Sequence, residues 1–217
     1  MRGNRWERIW LWGGVSIPFI YYGNVAISAL FYPGYSHLTQ YVSELGGPDA
    51  ARPEIFNVTT IVLGVVGLLA GIGLGSAAAR AGSRILPWCI GIAVSLFGVS
   101  LVFGGLFPMP DPRHNGFALG LAIPVAPLLL AIALRRERRL RPLTLFLVGT
   151  FVVSVGLFLI MSGRGGLVTR ENVGLFQRLF TLTVFPWIGI ASFVLLKTRP
   201  ATPGAEGGSS YTRGNSS

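Results

Sequence analysis

Six runs of about twenty apolar residues alternate along the chain with shorter polar connections, and each is long enough to cross a hydrocarbon core ~30 Å thick as a helix. The runs cover Ile9 to Phe31, Ile55 to Ala79, Ile85 to Phe107, His114 to Leu134, Leu143 to Ser162 and Leu175 to Leu196. This pattern predicts an all-α, polytopic membrane protein with six transmembrane helices, forming a single domain over residues 1–197. The first run exceeds the apolar core of a signal peptide and no A-x-A-like cleavage site follows it, so it is expected to be a retained helix. The longest polar interruption runs from Tyr32 to Glu54. Within it Tyr41, Glu44 and Leu45 recur at helical spacing, Ser36 is placed to cap, and Gly46-Gly47-Pro48 stops the turn. A short amphipathic lid helix is therefore predicted over residues 35–45, in the first extracytoplasmic loop.

Composition agrees with this reading, since 51% of residues are apolar and only 12% are charged. The placement of charge then sets orientation. Arg2, Arg5, Arg8, Arg80, Arg84, Arg135, Arg136, Arg138, Arg139, Arg141, Lys197, Arg199 and Arg213 fall on one side of the predicted spans. Arg52, Arg113, Arg164 and Arg170 fall on the other, and Arg178 lies inside the last span. The positive-inside rule then puts both termini in the cytoplasm of a multi-pass protein of the cell (inner) membrane. The net charge of +10 is accounted for by short loops facing anionic lipid. Membrane lipids are the expected partners, and no nucleic acid is expected.

The tail over residues 198–217 is rich in Gly, Ser and Pro and is expected to be disordered. Cys89 lies alone in the third span, so neither a disulfide framework nor a thiolate metal site is expected, and a buried apolar role is the default. Asn57-Val58-Thr59 fits the glycosylation pattern at a membrane boundary and is read as accidental. Gly67, Gly71 and Gly75, and again Gly116 and Gly120, recur at four-residue spacing, which suits close helix contacts inside the bundle. Pro18, Pro87, Pro124 and Pro186 are read as kinks within spans.

Polar residues gather at one face. Ser36, His37, Ser43, Glu44, Asn57, Asp111, Arg113, His114, Glu171, Gln177 and Arg178 all fall at the expected extracytoplasmic ends of the spans. Ionisable groups beside apolar helix surface are costly unless paired. Glu44, Asn57, Asp111, His114, Gln177 and Arg178 are thus the candidate ligand-binding residues. His114 is expected at the head of the fourth span, within reach of Asp111 or Glu44. Arg178, about one turn inside the last span, is expected to snorkel toward the same two carboxylates.

Three segments resemble a family of bacterial and archaeal six-span membrane proteins known as domain of unknown function 998. They are Tyr35-Ser36 through Ser43-Glu44-Leu45-Gly46 with Asn57; Gly105-Leu106-Phe107-Pro108 with Asp111 and His114; and Gly174-Leu175 with Gln177-Arg178. The chain departs from that pattern at Thr39, where serine is expected, and at His37, where proline is frequent. The S-E-x-G segment and the histidine opening a span are more distantly similar to the Frag-like and damage-regulated autophagy modulator membrane proteins. That resemblance implies a connection with lipid.

These residues also supply the parts of an ester hydrolase: Ser43 or Ser36 as nucleophile, His114 as base, Asp111 as its orienter and Arg178 for an oxyanion. No G-x-S-x-G elbow accompanies them. No metal and no cofactor is expected, because two histidines without H-E-x-x-H spacing make a poor ligand set. Three functions follow in order. The first is binding of a lipid headgroup or similar small ligand in a polar pocket on the outer face; the second is intramembrane hydrolysis or transfer on lipid; the third is small-solute transport.

Overall fold

A computed structural model describes residues 5–162 and 166–198, with the backbone alone at 115–118. The predicted tail from residue 199 onward, and Arg2, Arg164, Arg199 and Arg213, lie outside the described residues. The described residues form six α-helices: α1 (Arg5–Ala29), α2 (Pro53–Ala79), α3 (Leu86–Leu106), α4 (Ala126–Leu134), α5 (Arg141–Met161) and α6 (Val173–Lys197). No strand occurs among the described residues. Four of these helices begin with a proline in the first turn, at Pro53, Pro87, Pro127 and Pro142. There the missing N–H removes no helical hydrogen bond and the fixed φ favours the start. Pro87 and Pro124 therefore mark a helix start and a turn, whereas Pro18 and Pro186 lie inside α1 and α6 as expected.

Four helical stretches are long and apolar enough to cross a membrane: α2, α3, α6 and residues 138–161, which include α5. The protein is thus a polytopic, all-helical membrane protein. α1 has 25 residues but is less apolar, carrying Arg5, Glu7 and Arg8 near its start and the buried Asn24 and Ser28 near its end.

The fourth apolar run differs from expectation. It is not one helix but a 3-10 helix over Pro112–Gly120, a series of turns, and the nine-residue α4. Pro18 and Pro186 each remove one donor and their helices continue, whereas Pro124 and Pro127 remove two donors within one turn, and the α ladder is broken over residues 120–125. His114 accordingly sits within the 3-10 segment and does not head an α-helix. The predicted lid helix differs as well. Residues 35–41 form turns, and only Val42–Gly46 is helical, as a 3-10 turn capped at Tyr41. Ser36 caps a local turn instead, its Oγ accepting from the Thr39 N–H at 3.3 Å.

The most extensive packing is between α2 and α3. A Cβ at Gly64 would lie 2.5 Å from the Gly98 carbonyl, and one at Gly71 or Gly75 would lie 2.8 Å or 2.7 Å from the Gly91 or Pro87 carbonyl. Only glycine lets the two backbones meet this closely, which is the small-residue mode of association in lipid. α1 packs antiparallel to α2: Asn24 Nδ2 donates to Phe56 O and Thr60 Oγ1, both at 3.2 Å, and at the other end Arg80 pairs with Glu7. Cys89 is exposed on α3, so the expected buried role does not apply. An apolar thiol is at home there because the surroundings of a spanning helix are themselves apolar.

Candidate functional site: a strapped apolar cavity

At the end of the bundle where α2 and α6 begin, residues 32–52 lie across the helix ends as a strap. Gly174 makes this contact, since any Cβ there would come within 2.5 Å of Gln40 O and 2.7 Å of His37 O. The adjacent Leu175 N–H, one of the unpaired donors at the start of α6, donates to Leu38 O at 3.0 Å. Gln177 Oε1 accepts from the Val42 N–H at 2.6 Å and so caps the 3-10 turn. At its other end Asn57 Nδ2 donates to Gly46 O at 3.0 Å. The rest of the Asn57 amide presses on Gly46 where a side chain would collide.

Arg178 fastens the strap, with partners other than those expected. Its Nη1 donates to Gln40 O at 2.7 Å and Gly174 O at 2.9 Å, its Nη2 to the Tyr35 hydroxyl, and its Nε to His37 Nδ1 at 3.4 Å. The guanidinium also lies 5.5 Å from the centre of the Tyr35 ring. Glu44 is not its partner: Glu44 accepts from Tyr41 N–H at 2.7 Å and from Gln40 Nε2 at 3.1 Å, as a capping group for its own turn. Asp111 is not its partner either, being held by Arg113 at 2.6 Å and 3.0 Å in an exposed local pair. That pair draws the Asp111 carboxyl down to about 2. Burial raises the pKa of Tyr35, opposed by Arg178 beside it, so its hydroxyl stays protonated at neutral pH. Arg178 can therefore sit half-buried without a carboxylate because carbonyl dipoles and a phenol take its donors.

Beneath the strap lies a cavity of 280 Å³ between α2, α3, the 3-10 segment and α6. Its walls are mainly apolar, including Leu63, Phe97, Phe158, Phe180 and Phe185. Ser43, His114 and Gln177 line it as well. Leu121 and Phe158 line it yet are 55% and 37% exposed, so the cavity reaches the outer surface of the bundle between the 3-10 segment and α5. The broken fourth run forms part of the wall through Gly120, Leu121, Ile123 and Pro124. Irregular backbone at membrane depth is tolerated where it is covered by protein or lines a cavity.

Ser43, His114 and Gln177 are thus brought to one cavity, while Glu44, Asn57 and Arg178 hold the strap above it and Asp111 belongs to neither. A Ser-His-Asp relay is not assembled. His114 Nδ1 is 2.8 Å from Phe107 O, an acceptor only, so Nδ1 carries the proton and Nε2 accepts when the ring is neutral. Ser43 Oγ donates to Met109 Sδ at 3.1 Å. Among the described residues no three of His, Cys, Asp and Glu come together as a metal site would require. The apolar wall and the break at residues 120–124 were missed by sequence reasoning, though Gly120, Pro124 and Pro127 within eight residues were the available signal.

A family model described as protein of unknown function (DUF998) matches residues 15–194. No curated protein and no solved structure matches the chain.

Proposed function

The chain belongs to the DUF998 family, and we propose that it binds an amphipathic membrane lipid, with an apolar chain in the strapped cavity and the polar end beside Ser43, His114 and Gln177. The observation that carries this reading is the cavity itself, apolar along its walls, polar below the strap and reaching the outer surface between Leu121 and Phe158. A strongly polar solute would find few hydrogen-bond partners along those walls, whereas an acyl chain matches them in polarity and fills the space with dispersion contacts. His114 Nε2 is an acceptor for a hydroxyl or amine of the headgroup, and Ser43 Oγ, whose proton goes to Met109 Sδ, adds a second acceptor.

We place six crossings in the cytoplasmic membrane, with both termini cytoplasmic and the strap outside. α2, α4 and α6 all end at the cleft that Arg80, Arg139 and Lys197 line, which is the arrangement expected of alternating spans. The fourth crossing is the broken one. Nine residues of 3-10 helix rise ~18 Å and nine of α-helix ~13 Å, together close to one hydrocarbon thickness. Binding stands ahead of hydrolysis because Asp111 is committed to Arg113 and not to His114. The test is to extract the lipids retained by protein purified in a mild detergent. One lipid class is expected at a proportion well above that in the source membrane, and retained lipid that merely mirrors the membrane would reject the reading.

A further inference from the structure

A second cavity, of 560 Å³, lies at the opposite end of the bundle, where α2, α4 and α6 finish and the turn into α5 begins. Its floor is apolar, made by the buried side chains of Ala77, Leu134, Leu140 and Leu195. Its rim carries three cations, Arg80, Arg139 and Lys197, against one carboxylate, Glu137. Arg80 is already paired with Glu7 of α1. Among the described residues neither Arg139 nor Lys197 has a carboxylate within 4 Å, and Lys197 lies instead 5.5 Å from the centre of the Phe193 ring.

We infer that this cleft binds the phosphoanionic headgroup of a membrane lipid, independently of the strapped cavity. Three features of the cleft support this together. First, it is formed where apolar helices end, the depth at which lipid phosphates lie. The exposed Trp6 and Trp88, near the starts of α1 and α3, suit the same interfacial layer. Second, Arg139 and Lys197 converge from the α4–α5 turn and from α6, so a phosphate between them would tie α6 to the α4–α5 turn. Third, the apolar floor favours a phosphate that carries a glycerol and acyl chain over a free one, since a free anion would use the rim alone. Basic pockets between spans are a known mode of headgroup binding.

The competing explanation is that these cations only supply the general positive field of this face, and the experiment separates the two. Full-length protein in detergent is titrated with a short-chain phosphatidylglycerol, with the matching phosphatidylcholine, and with inorganic phosphate, following melting temperature and lipid retention by native mass spectrometry. Wild type is expected to be stabilised saturably by phosphatidylglycerol and not by phosphatidylcholine. The double variant Arg139→Gln with Lys197→Gln is expected to weaken that binding roughly 25-fold, at about five-fold per basic residue. Its melting temperature without lipid should match wild type, because both side chains are exposed. The control, Arg135→Gln with Arg136→Gln, removes the same charge from residues that do not line the cleft and should weaken binding much less than the cleft variant. Equal weakening in the two double variants would overturn the site in favour of the general field. Stabilisation by inorganic phosphate equal to that by phosphatidylglycerol would overturn the lipid assignment.

Discussion

The two sides of the bundle are built on opposite plans. Where α2 meets α3, glycines at 64, 71, 75 and 98 bring the backbones so close that no side chain fits between them. Across α3, toward α6 and the end of α5, bulky residues such as Phe97, Phe180 and Phe185 hold the helices apart around a cavity of 280 Å³. Close packing and open space are thus segregated: the α1–α2–α3 side is tightly packed, and the cavity lies where the fourth apolar run is broken. A membrane protein gains little from burying apolar groups that lipid would solvate equally well, so its firm contacts come from close approach and hydrogen bonds. A cavity on the other side can then persist without weakening the scaffold.

The largest effect should come from breaking the tight side. Gly98→Leu would drive a side chain into the Leu68 amide and the Gly64 carbonyl, both of them backbone. Overpacking of this kind costs roughly 3 kcal/mol or more, and the detergent-solubilised protein is expected to melt some 10 °C lower or fail to accumulate. Melting temperature and yield of intact protein measure this. Gly149→Leu on α5, where a Cβ meets nothing within 4 Å, should be tolerated and so sharpens the contrast.

Next in size is the strap. Arg178→Ala leaves Gln40 O, Gly174 O and the Tyr35 hydroxyl without their charged donor, a loss of roughly 2–3 kcal/mol. Faster hydrogen exchange across residues 35–46 should accompany a lower melting temperature. Because the donors of Arg178 go to the protein, Arg178→Lys is expected to reproduce part of the destabilisation while leaving the class of retained lipid unchanged. A changed lipid class with an unchanged melting temperature would assign Arg178 to the ligand.

The smallest effect concerns the loop before the broken fourth apolar run. The Arg113 partnership depresses the Asp111 pKa to about 2, so whatever this pair contributes is present above the ordinary carboxylate range and is lost as pH falls from about 4 to 2. The pair is exposed, so global melting should hardly respond. The protection factors of the amides in residues 108–114, with the intrinsic pH dependence of exchange divided out, are expected to fall over that pH window, and Arg113→Ala should already show the lower protection at neutral pH.

Much of this architecture was legible in the chain. Length and apolar content place α2, α3, α5 and α6, because in lipid a backbone must satisfy itself and an apolar run of that length has few alternatives to a helix. The glycine spacing at 67, 71 and 75 identifies the face of α2 that meets α3. The fourth run shows where this logic stops, since hydropathy reads only side chains while Pro124 and Pro127 act on the backbone. The site was legible in part. Sequence reasoning gathered Ser43, Glu44, Asn57, His114, Gln177 and Arg178 at one end, but assigned Arg178 to carboxylates because it weighs charges and cannot see carbonyl groups. The carbonyls of Gln40 and Gly174 become partners only once the strap crosses α6, which no local pattern specifies.

The most direct test of the central claim fills the cavity without disturbing its walls. At Gly104, on the wall contributed by α3, an added Cβ meets nothing closer than His114 Cε1 at 3.7 Å, so a larger side chain has room to project. Replacing glycine inside a helix removes a penalty of up to about 1 kcal/mol, so Gly104→Leu is expected to melt no lower than wild type. Lipid retained by wild type and Gly104→Leu, purified side by side, should then be compared by native mass spectrometry. The enriched lipid is expected to be lost from Gly104→Leu while the protein stays folded; undiminished retention of that lipid by a folded Gly104→Leu would contradict binding in the strapped cavity.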